Sequence, residues 1–302
     1  LRVNVVVINF RQPELTLGCL ESLEPEVAGR DDVRVSLVDN DSGDGSADRL
    51  ERELAERGWD AWTDLVRSPR NGGFSWGNNR GIEHADAGWH LLLNSDARLR
   101  PGCLDGLLAA GEADPRIGLV GPRLEWPDGE PQVSCFRFRG LVNEALGQAC
   151  TGVLDRLLGR FVVPMGLPDG PTDADWVSFA CVLVRRAVFE QVGLMDEGYF
   201  LYFEDIDFAR SARRAGWRVV HDPRPRAIHL RGGSSSVKKD MAARTAPPGF
   251  YYESRSRYFG KWYGGAAGVV AANLAWTAGR TIGALRSLLD RRHRGIAGEG
   301  RR

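Results

Sequence analysis

The sequence of 302 residues has no surplus of charge: 40 Lys and Arg balance 40 Asp and Glu, so the formal net charge is zero at pH 7. A chain built chiefly to bind nucleic acid carries a basic excess against the phosphate backbone, so that class is excluded as the main partner. Cysteine is scarce and scattered. The five, Cys19, Cys103, Cys135, Cys150 and Cys181, contain no CxxC pair and leave one over, which points to reduced thiols in a cytosolic protein and away from a disulfide frame or a zinc site. No apolar run approaches the roughly 20 residues of a membrane-spanning helix. The longest near the end, Ala266 to Gly279, is interrupted by Asn273 and followed by Arg280. Leu1-Arg2-Val3-Asn4 leads straight into an apolar strand, without the basic, apolar, small-residue order of a secretory signal. A cytoplasmic location is expected. Internal repeats and long low-complexity segments are missing as well. A content of 43% hydrophobic and 26% charged residues is ordinary globular usage and excludes wholesale disorder.

What is present alternates. Val3-Asn4-Val5-Val6-Val7-Ile8 is a β-branched run, the pattern of a strand buried on both faces of a mainly parallel sheet. Pro13 suits a first helical turn, and Leu15, Cys19, Leu20 and Leu23 follow at helical spacing. Val33 to Val38 reads as a second strand, ending in the polar loop Asp39 to Gly45. A Gly-rich turn and helix over Asn71 to Asp86 precede a strand at Trp89 to Leu93. Pro101 to Ala110 reads as a helix, Ile117 to Val120 as a strand, Trp176 to Val184 as another strand, and Arg186 to Val192 as a helix. Between them, Pro131 to Asp175 is an irregular excursion with one helix through Val153, Leu154, Leu157 and Leu158. The alternation predicts an α/β, doubly wound sheet, whose ligands bind outside the carboxyl ends of its strands.

Five constellations sit where such a sheet puts chemistry, and each has two readings. Asp39-Asn40-Asp41-Ser42 can bond a base edge or ribose, or be a self-satisfied Asx turn. Asn71-Gly72-Gly73-Phe74-Ser75-Trp76-Gly77-Asn78-Asn79 can bring backbone N–H groups to a diphosphate at a helix N-terminus, or be a structural loop; it is not a Walker loop. Asn94-Ser95-Asp96 can offer a carboxylate to a hard cation, or cap the next helix. Asp196-Glu197-Gly198-Tyr199-Phe200-Leu201-Tyr202-Phe203-Glu204-Asp205-Ile206-Asp207-Phe208 sets five carboxylates beside five aromatics ahead of a helix. Burial there raises a carboxyl pKa and a helix N-terminus lowers it, so either a general base or an acidic first turn fits. His229, with His221 in a similar setting, is a ligand or a hydrogen-bonded structural residue.

In this order, these segments resemble the inverting family 2 glycosyltransferases of the GT-A fold, in particular rhamnosyltransferase-like members that build bacterial surface polysaccharides. The match runs from about Val3 to Ser235. It rests on Asn71 to Gly81, on Leu92-Leu-Asn-Ser-Asp96, and above all on Phe179 to Phe189 continuing through Gly193-Leu-Met-Asp-Glu197 to Tyr202-Phe-Glu-Asp-Ile-Asp-Phe208.

The resemblance implies a nucleotide-sugar site formed by Ile8, Asn9, Phe10, Asp39, Asn40, Asp41, Gly73, Asn78, Asn79, Asn94, Ser95 and Asp96. Asn94-Ser95-Asp96 takes the place of the family's DxD motif, leaving Asp96 as its one carboxylate, and His229, 24 residues beyond Asp205, becomes the second ligand of a Mg²⁺ or Mn²⁺ ion. Asp205 is the implied base for the acceptor hydroxyl, with Glu204 in reserve; Trp176, Tyr202 and Phe203 are expected at the acceptor, though core packing fits those rings equally. In helical geometry Glu204 and Asp207 share a face and Asp205 does not. The donor implied is a dTDP- or UDP-sugar such as dTDP-rhamnose, and the acceptor a glycan, a lipid-linked glycan or a small molecule.

The division expected is 1–125 as the nucleotide-sugar-binding half, 126–235 as the acceptor-binding and catalytic half of the same domain, and 236–302 as a C-terminal helical extension. In that extension Leu285, Leu288 and Leu289 interleave with Arg286, Arg291, Arg292 and Arg294. A flat seat on the cytoplasmic membrane surface and a terminal helix packed on its own domain are both open. A nucleotidyltransferase would need a Gly-rich basic loop right after the first strand, where Asn9-Phe10-Arg11-Gln12-Pro13 has none. A catalytically inactive nucleotide-sugar or glycan-binding module would show damage at the base or metal positions, of which Asn94 is the single hint.

Overall fold

The computed structural model describes residues 1–149, 158–230 and 246–289. It comprises two units, Leu1–Phe136 with Gly166–Ser234, and Arg137–Met165 with Ser235–Arg302. In the first, β1 (Val3–Asn9), α1 (Pro13–Val27), β2 (Val33–Asp39), α2 (Ser46–Arg57), β3 (Thr63–Arg67), α3 (Gly73–His84) and β4 (Trp89–Asn94) alternate. They are followed by β5 (Ala97–Leu99), α4 (Cys103–Glu112), β6 (Ile117–Glu125), β7 (Pro131–Gln132) and β8 (Cys135–Phe136). After α5 (Leu141–Ala149) of the second unit, the first resumes with β9 (Thr172–Asp173), β10 (Trp176–Val177), β11 (Cys181–Arg185), α6 (Arg186–Val192), α7 (Glu204–Arg214) and β12 (Arg218–His229). The second unit continues with α8 (Gly249–Trp262) and α9 (Ala266–Leu289).

The main sheet has the order β3-β2-β1-β4-β11-β6-β12-β5. Its first half is parallel and tightly in register: Val3 to Asn9 pairs with Val33 to Asp39 on one side, and Val3 to Ile8 with Trp89 to Asn94 on the other. Val3, Val5 and Val7 are fully enclosed with Leu20, Leu23 and Leu91 in one apolar core. Each such side chain contributes roughly 1.5–3 kcal/mol on burial, and a one-residue slip would carry Val3, Val5 and Val7 to the other face. On that other face α3 lies close, because Gly77 and Gly81 present no side chain to Ile8 and Val6.

Strand order turns around between β1 and β4, the point where α/β sheets open a crevice. Strands β1, β2, β3, β4, β6 and β12 all run one way, with β11 and β5 opposed. Asn9, Asp39, Asn94 and His229, the last residues of β1, β2, β4 and β12, therefore lie along one edge.

Several boundaries differ from expectation. The strand expected over Trp176 to Val184 is two: β10 pairs with β8 in a separate small sheet and β11 with β4. The break comes where the Ser178 amide donates to the Ser134 carbonyl and the Asn94 amide to the Ala180 carbonyl, so the chain changes partners there. Apart from Leu158, the helix expected through Val153, Leu154 and Leu157 lies outside the described residues, while α5 had no forecast. Residues 137–165, which the sequence reading grouped with the acceptor half, fall with the C-terminal helices. Cys19, Cys103, Cys135 and Cys181 are buried. No helix among the described residues is long and apolar enough to cross a membrane.

In the second unit the buried Arg255 donates from Nε to Glu144 Oε2 at 2.7 Å, from Nη1 to Asn273 Oδ1 at 2.8 Å and from Nη2 to the Ala272 carbonyl at 3.0 Å. One guanidinium thus binds α5, α8 and α9 together. Satisfied this fully, it is tolerated away from water; losing either partner of the ion pair would strand a charge.

His90 carries the fold's acid sensitivity. The ring is 3% exposed, and the Asn4 side-chain Nδ2 points at its Nδ1 from 3.4 Å. Burial, then the positive charge of Arg186, push its pKa down from 6.5 to about 4. A lowered pKa gives stability that is complete above the ordinary histidine value and is lost as pH falls through the folded one. We expect about 3 kcal/mol of stability to disappear across that window through His90, and His90→Gln to flatten the curve. Urea melts at stepped pH measure both; parallel curves for the two proteins would refute the assignment.

Candidate active site

The edge formed by β1 and β2 is closed by a buried polar knot. Asp39 Oδ1 accepts from Asn9 Nδ2 at 2.7 Å and from the Ser42 hydroxyl at 2.6 Å, and Oδ2 accepts from the Ser42 amide at 3.1 Å. Thr16 Oγ1 donates to Asn9 Oδ1 at 2.8 Å, which pins the start of α1 to the end of β1. Three donors on one carboxylate hold it in place. Phe10 is half-exposed with the Arg11 guanidinium 5.1 Å above its ring, while Arg11 Nε donates to the Ser42 carbonyl at 2.8 Å. Arg11 and Asp41 both take left-handed backbone, so this rim is bent sharply.

Next along the edge, Asn40 Nδ2 donates to Asn71 Oδ1 and to the Gly73 carbonyl, each at 3.0 Å. Asn40 Oδ1 is buried without a hydrogen-bond donor among the described residues. Gly73 has φ +87°, and a Cβ there would run into the Phe200 backbone carbonyl. That approach lets the Phe74 amide donate to the same carbonyl at 2.7 Å. Asn79 adds a second tie: its Nδ2 donates to the Met195 carbonyl at 2.8 Å and to Glu197 Oε1 at 3.0 Å, and its Oδ1 accepts from the Met195 amide at 3.1 Å. The acidic, aromatic turn ahead of α7 is thereby bound to the start of α3, just beyond the end of β3.

Tyr202 and Phe203 both have φ near +70°, a strained pair for side chains of that size. They turn the chain into α7, where Glu204 and Asp207 are buried and Asp205 is half-exposed. Asp205 Oδ1 accepts from the Ile206 amide at 2.8 Å. Burial first, and the charge of Asp205 second, push the Glu204 carboxyl well above the usual carboxylate range. Its Oε2 has no donor among the described residues, as suits a carboxyl that keeps its proton.

At the β4 end, Asp96 is 3% and His229 7% exposed. His229 Nε2 stands 3.5 Å from Asp96 Oδ1. The pairing follows from β12 lying antiparallel to β5 with His229 opposite Ala97, and from the Leu230 amide donating to the Asp96 carbonyl at 2.9 Å. Gln132 Nε2 donates to the His229 carbonyl at 2.8 Å and steadies the strand behind it. Asp96 Oδ1 is buried and receives no hydrogen bond among the described residues. One carboxylate oxygen and one imidazole are two donors, which suits an ion that takes its other ligands from a diphosphate and water. Among the described residues no group of three or more acidic, His or Cys side chains could hold a metal without such help.

The structure thus gathers Asn9, Asp39, Asn40, Gly73, Asn94 and Asp96 along one edge. Three residues expected at the nucleotide do other work: Asn79 holds the Met195 turn, Asn78 Nδ2 donates to the Phe74 carbonyl at 3.0 Å inside α3, and Ile8 packs on Gly77. Ser95 is half-buried in the turn before Asp96. Of the aromatics expected at the acceptor, Trp176 is buried and stacked on Phe136 with ring centres 4.2 Å apart, and Phe203 is buried. Tyr202 alone of the three is half-exposed. The sequence reading missed Thr16 and Gln132. Thr16 follows Asn9 by seven residues, with no signal of its own inside the amphipathic pattern of α1, and Gln132 meets His229 only through sheet pairing.

A sequence model of the family described as glycosyl transferase family 2 matches residues 4–136. The N-acetylglucosaminyl-diphospho-decaprenol L-rhamnosyltransferase of Mycobacterium tuberculosis is 30% identical over 284 residues, which are 85% of this chain and 83% of that protein. The chain belongs to glycosyl transferase family 2. A low-salt glycan biosynthesis hexosyltransferase of Haloferax volcanii is 25% identical to this family 2 transferase over 233 residues, 75% of this chain and 66% of that one. A mannosyltransferase from Pyrobaculum calidifontis, solved with GDP-Man and Mn²⁺, superposes with a TM-score of 0.60 at 15% identity, over 96% of this chain and 75% of that one. The α/β fold expected from sequence is the GT-A fold.

In this transferase the Gly73 approach is the tightest backbone requirement at the edge. We expect Gly73→Ala to cost about 1–3 kcal/mol, because a Cβ meets both a left-handed φ and a backbone oxygen. Thermal melts measure the loss; a melting temperature equal to the parent's would show that the Phe200 turn yields without penalty.

Proposed function

We propose that this glycosyltransferase inverts configuration and depends on a divalent cation. It moves a sugar such as rhamnose from a dTDP- or UDP-sugar to a hydroxyl of a glycan or lipid-linked acceptor at the cytoplasmic face of a membrane. The observation that carries the reading is the buried pairing of Asp96 with His229, 3.5 Å apart at the carboxyl ends of β4 and β12. Its Mycobacterium tuberculosis relative is named for transferring L-rhamnose to a diphospho-decaprenol glycan, which supports the sugar and the acceptor class.

Asp96 and His229 would hold Mg²⁺ or Mn²⁺, and Asn94 and Ser95 line the approach. When bound, the cation supplies positive charge against the diphosphate as it leaves. The rest falls to the chain's own groups. Asp39, already bonded three times, gives a fixed negative wall for ribose or base, and Asn40 Oδ1 offers an open acceptor beside it. Asp205 reaches solvent and takes the proton of the acceptor hydroxyl as it attacks the anomeric carbon from the face opposite the nucleotide, so one displacement inverts the centre. Tyr202, half-exposed three residues earlier, offers a ring for the acceptor sugar to rest on.

Incubation with a panel of nucleotide sugars, with Mg²⁺ or Mn²⁺, should give nucleotide release and a thermal shift with at least one donor. Silence across the panel would overturn the reading. Asp205→Asn should lower turnover by roughly a hundredfold or more with donor affinity unchanged. Glu204→Gln should keep substantial turnover. The raised Glu204 pKa gives stability present at low pH and lost as pH rises through the folded value, so the amide should melt no lower than the parent in mildly alkaline buffer. An active Asp205→Asn beside a dead Glu204→Gln would transfer the base to Glu204.

A further inference from the structure

Arg123 of β6, Gln132 of β7, His221 and Arg224 of β12 and the 166–169 segment line a cavity of about 380 Å³ in the first unit. Its charges balance. Arg123 Nη2 donates to the Gly129 carbonyl at 2.9 Å, and its Nε stands 3.6 Å from Glu125 Oε2, an ion pair without a hydrogen bond. Arg224 Nε donates to Asp222 Oδ1 at 2.9 Å. Counting Arg100, which also holds Glu125, three arginines meet three carboxylates, since Asp169 lies in the lining as well. His221 is 4% exposed. The Ser134 hydroxyl donates to the Pro122 carbonyl at 3.3 Å, so its oxygen takes a hydrogen from His221 Nε2 at 3.1 Å. Burial holds the ring below the ordinary histidine value, so it is neutral near pH 7 and its Nδ1 is left as an acceptor. That nitrogen has no donor among the described residues. Leu167, Pro168 and Pro223 add walls of carbon.

We propose that this cavity binds a neutral sugar ring of the acceptor glycan, one that does not itself react. An anion would meet arginines already answered by carboxylates and could give no hydrogen to His221 Nδ1. A sugar hydroxyl both gives and accepts: it can donate to the imidazole or to Asp169 and accept from Arg123 Nε, while the C–H face of the ring rests on Leu167, Pro168 and Pro223. The volume falls at the low end of the roughly 300–1,000 Å³ of small-molecule sites, as a single ring requires. Gln132 places the site. Its side chain lines the cavity and its Nε2 donates to the His229 carbonyl at 2.8 Å, so the cavity begins one side chain away from the Asp96–His229 pair. Asp96, Asp205 and His229 stand outside the lining, so a ring held here is not the one under attack. Calling that ring part of the acceptor rests on the transferase reading; the binding of a sugar does not.

Saturation-transfer NMR of the full chain with glucose, galactose, rhamnose and N-acetylglucosamine, in the absence of nucleotide, tests the proposal. At least one ring should receive saturation, with a Kd that an equal concentration of inorganic phosphate leaves unchanged. His221→Phe removes Nδ1 and should raise that Kd roughly tenfold or more. Leu167→Ala with Asp169→Asn, both at exposed positions, should weaken binding while keeping the parent's melting temperature. No transfer to any of the sugars, binding undiminished in the exposed double variant, or displacement of the sugar by phosphate would overturn the proposal. Sugar binding that the cavity variants weaken, with no nucleotide release from any donor, would keep the site and sink the transferase reading. Nucleotide release by a protein that binds none of the sugars would do the reverse.

Discussion

One hydrogen bond, from the Phe74 amide to the Phe200 carbonyl, sets where the acidic helix begins. It exists because residue 73 has no side chain: with φ +87° and the Phe200 carbonyl where a Cβ would stand, only glycine lets α3 and the following turn close to 2.7 Å. Asn79, one helical turn further on, grips Met195 through both ends of its amide. Two ties from one short helix thus fix the 195–203 segment, and with it the direction in which α7 enters. The left-handed pair Tyr202 and Phe203 is the local consequence; such strain persists only where surrounding bonds over-determine it.

The polar residues at the strand ends sort by whether their hydrogen-bonding capacity is used. Asn9, Asp39, Ser42 and Thr16 satisfy one another, and a network closed this way is rigid scaffolding. Asp96 Oδ1, Asn40 Oδ1 and Glu204 Oε2 are buried and lack a donor among the described residues. Leaving such an atom unmet costs about 1–3 kcal/mol. Glu204 recovers part by keeping its proton. For Asp96 and Asn40, the proposed cation and nucleotide would supply the missing partners.

Much of this architecture was legible in the sequence. The Val3 to Ile8 and Val33 to Val38 runs announced buried parallel strands because β-branched residues unbroken by polar ones have few other uses. Pro13 and the 3–4 spacing of Leu20 and Leu23 announced α1. Strand β12 was hidden, since Pro223 and Pro225 argue against a strand; the structure places both within the register irregularity between Asp222 and Arg226, where no ladder donor is required. Asn79 was visible but its task was not, because a long-range bond to Met195 leaves no local trace. The rings of Tyr202 and Phe203 suggested an acceptor platform, whereas burial of Phe203 puts one of the two into packing. The separation of Glu204 from Asp205 did follow from helical spacing alone.

That separation underlies the choice of Asp205 as the proposed base. A raised pKa commonly marks a general base, and by that rule Glu204 would be chosen. Its elevation comes first from burial and only then from Asp205, and the same burial that raises its basicity keeps an acceptor hydroxyl away. A base must touch the proton it removes, so access outranks basicity. Of two adjacent carboxyls the enclosed one retains its proton, which spares its neighbour a second negative charge. Asp205, half-exposed at the first turn of α7, is the one of the two left open to an acceptor, which is why it is the proposed base. Glu204, enclosed and held above the usual carboxylate range, is set apart from the proposed base by the same 100° step that separates the two along the helix.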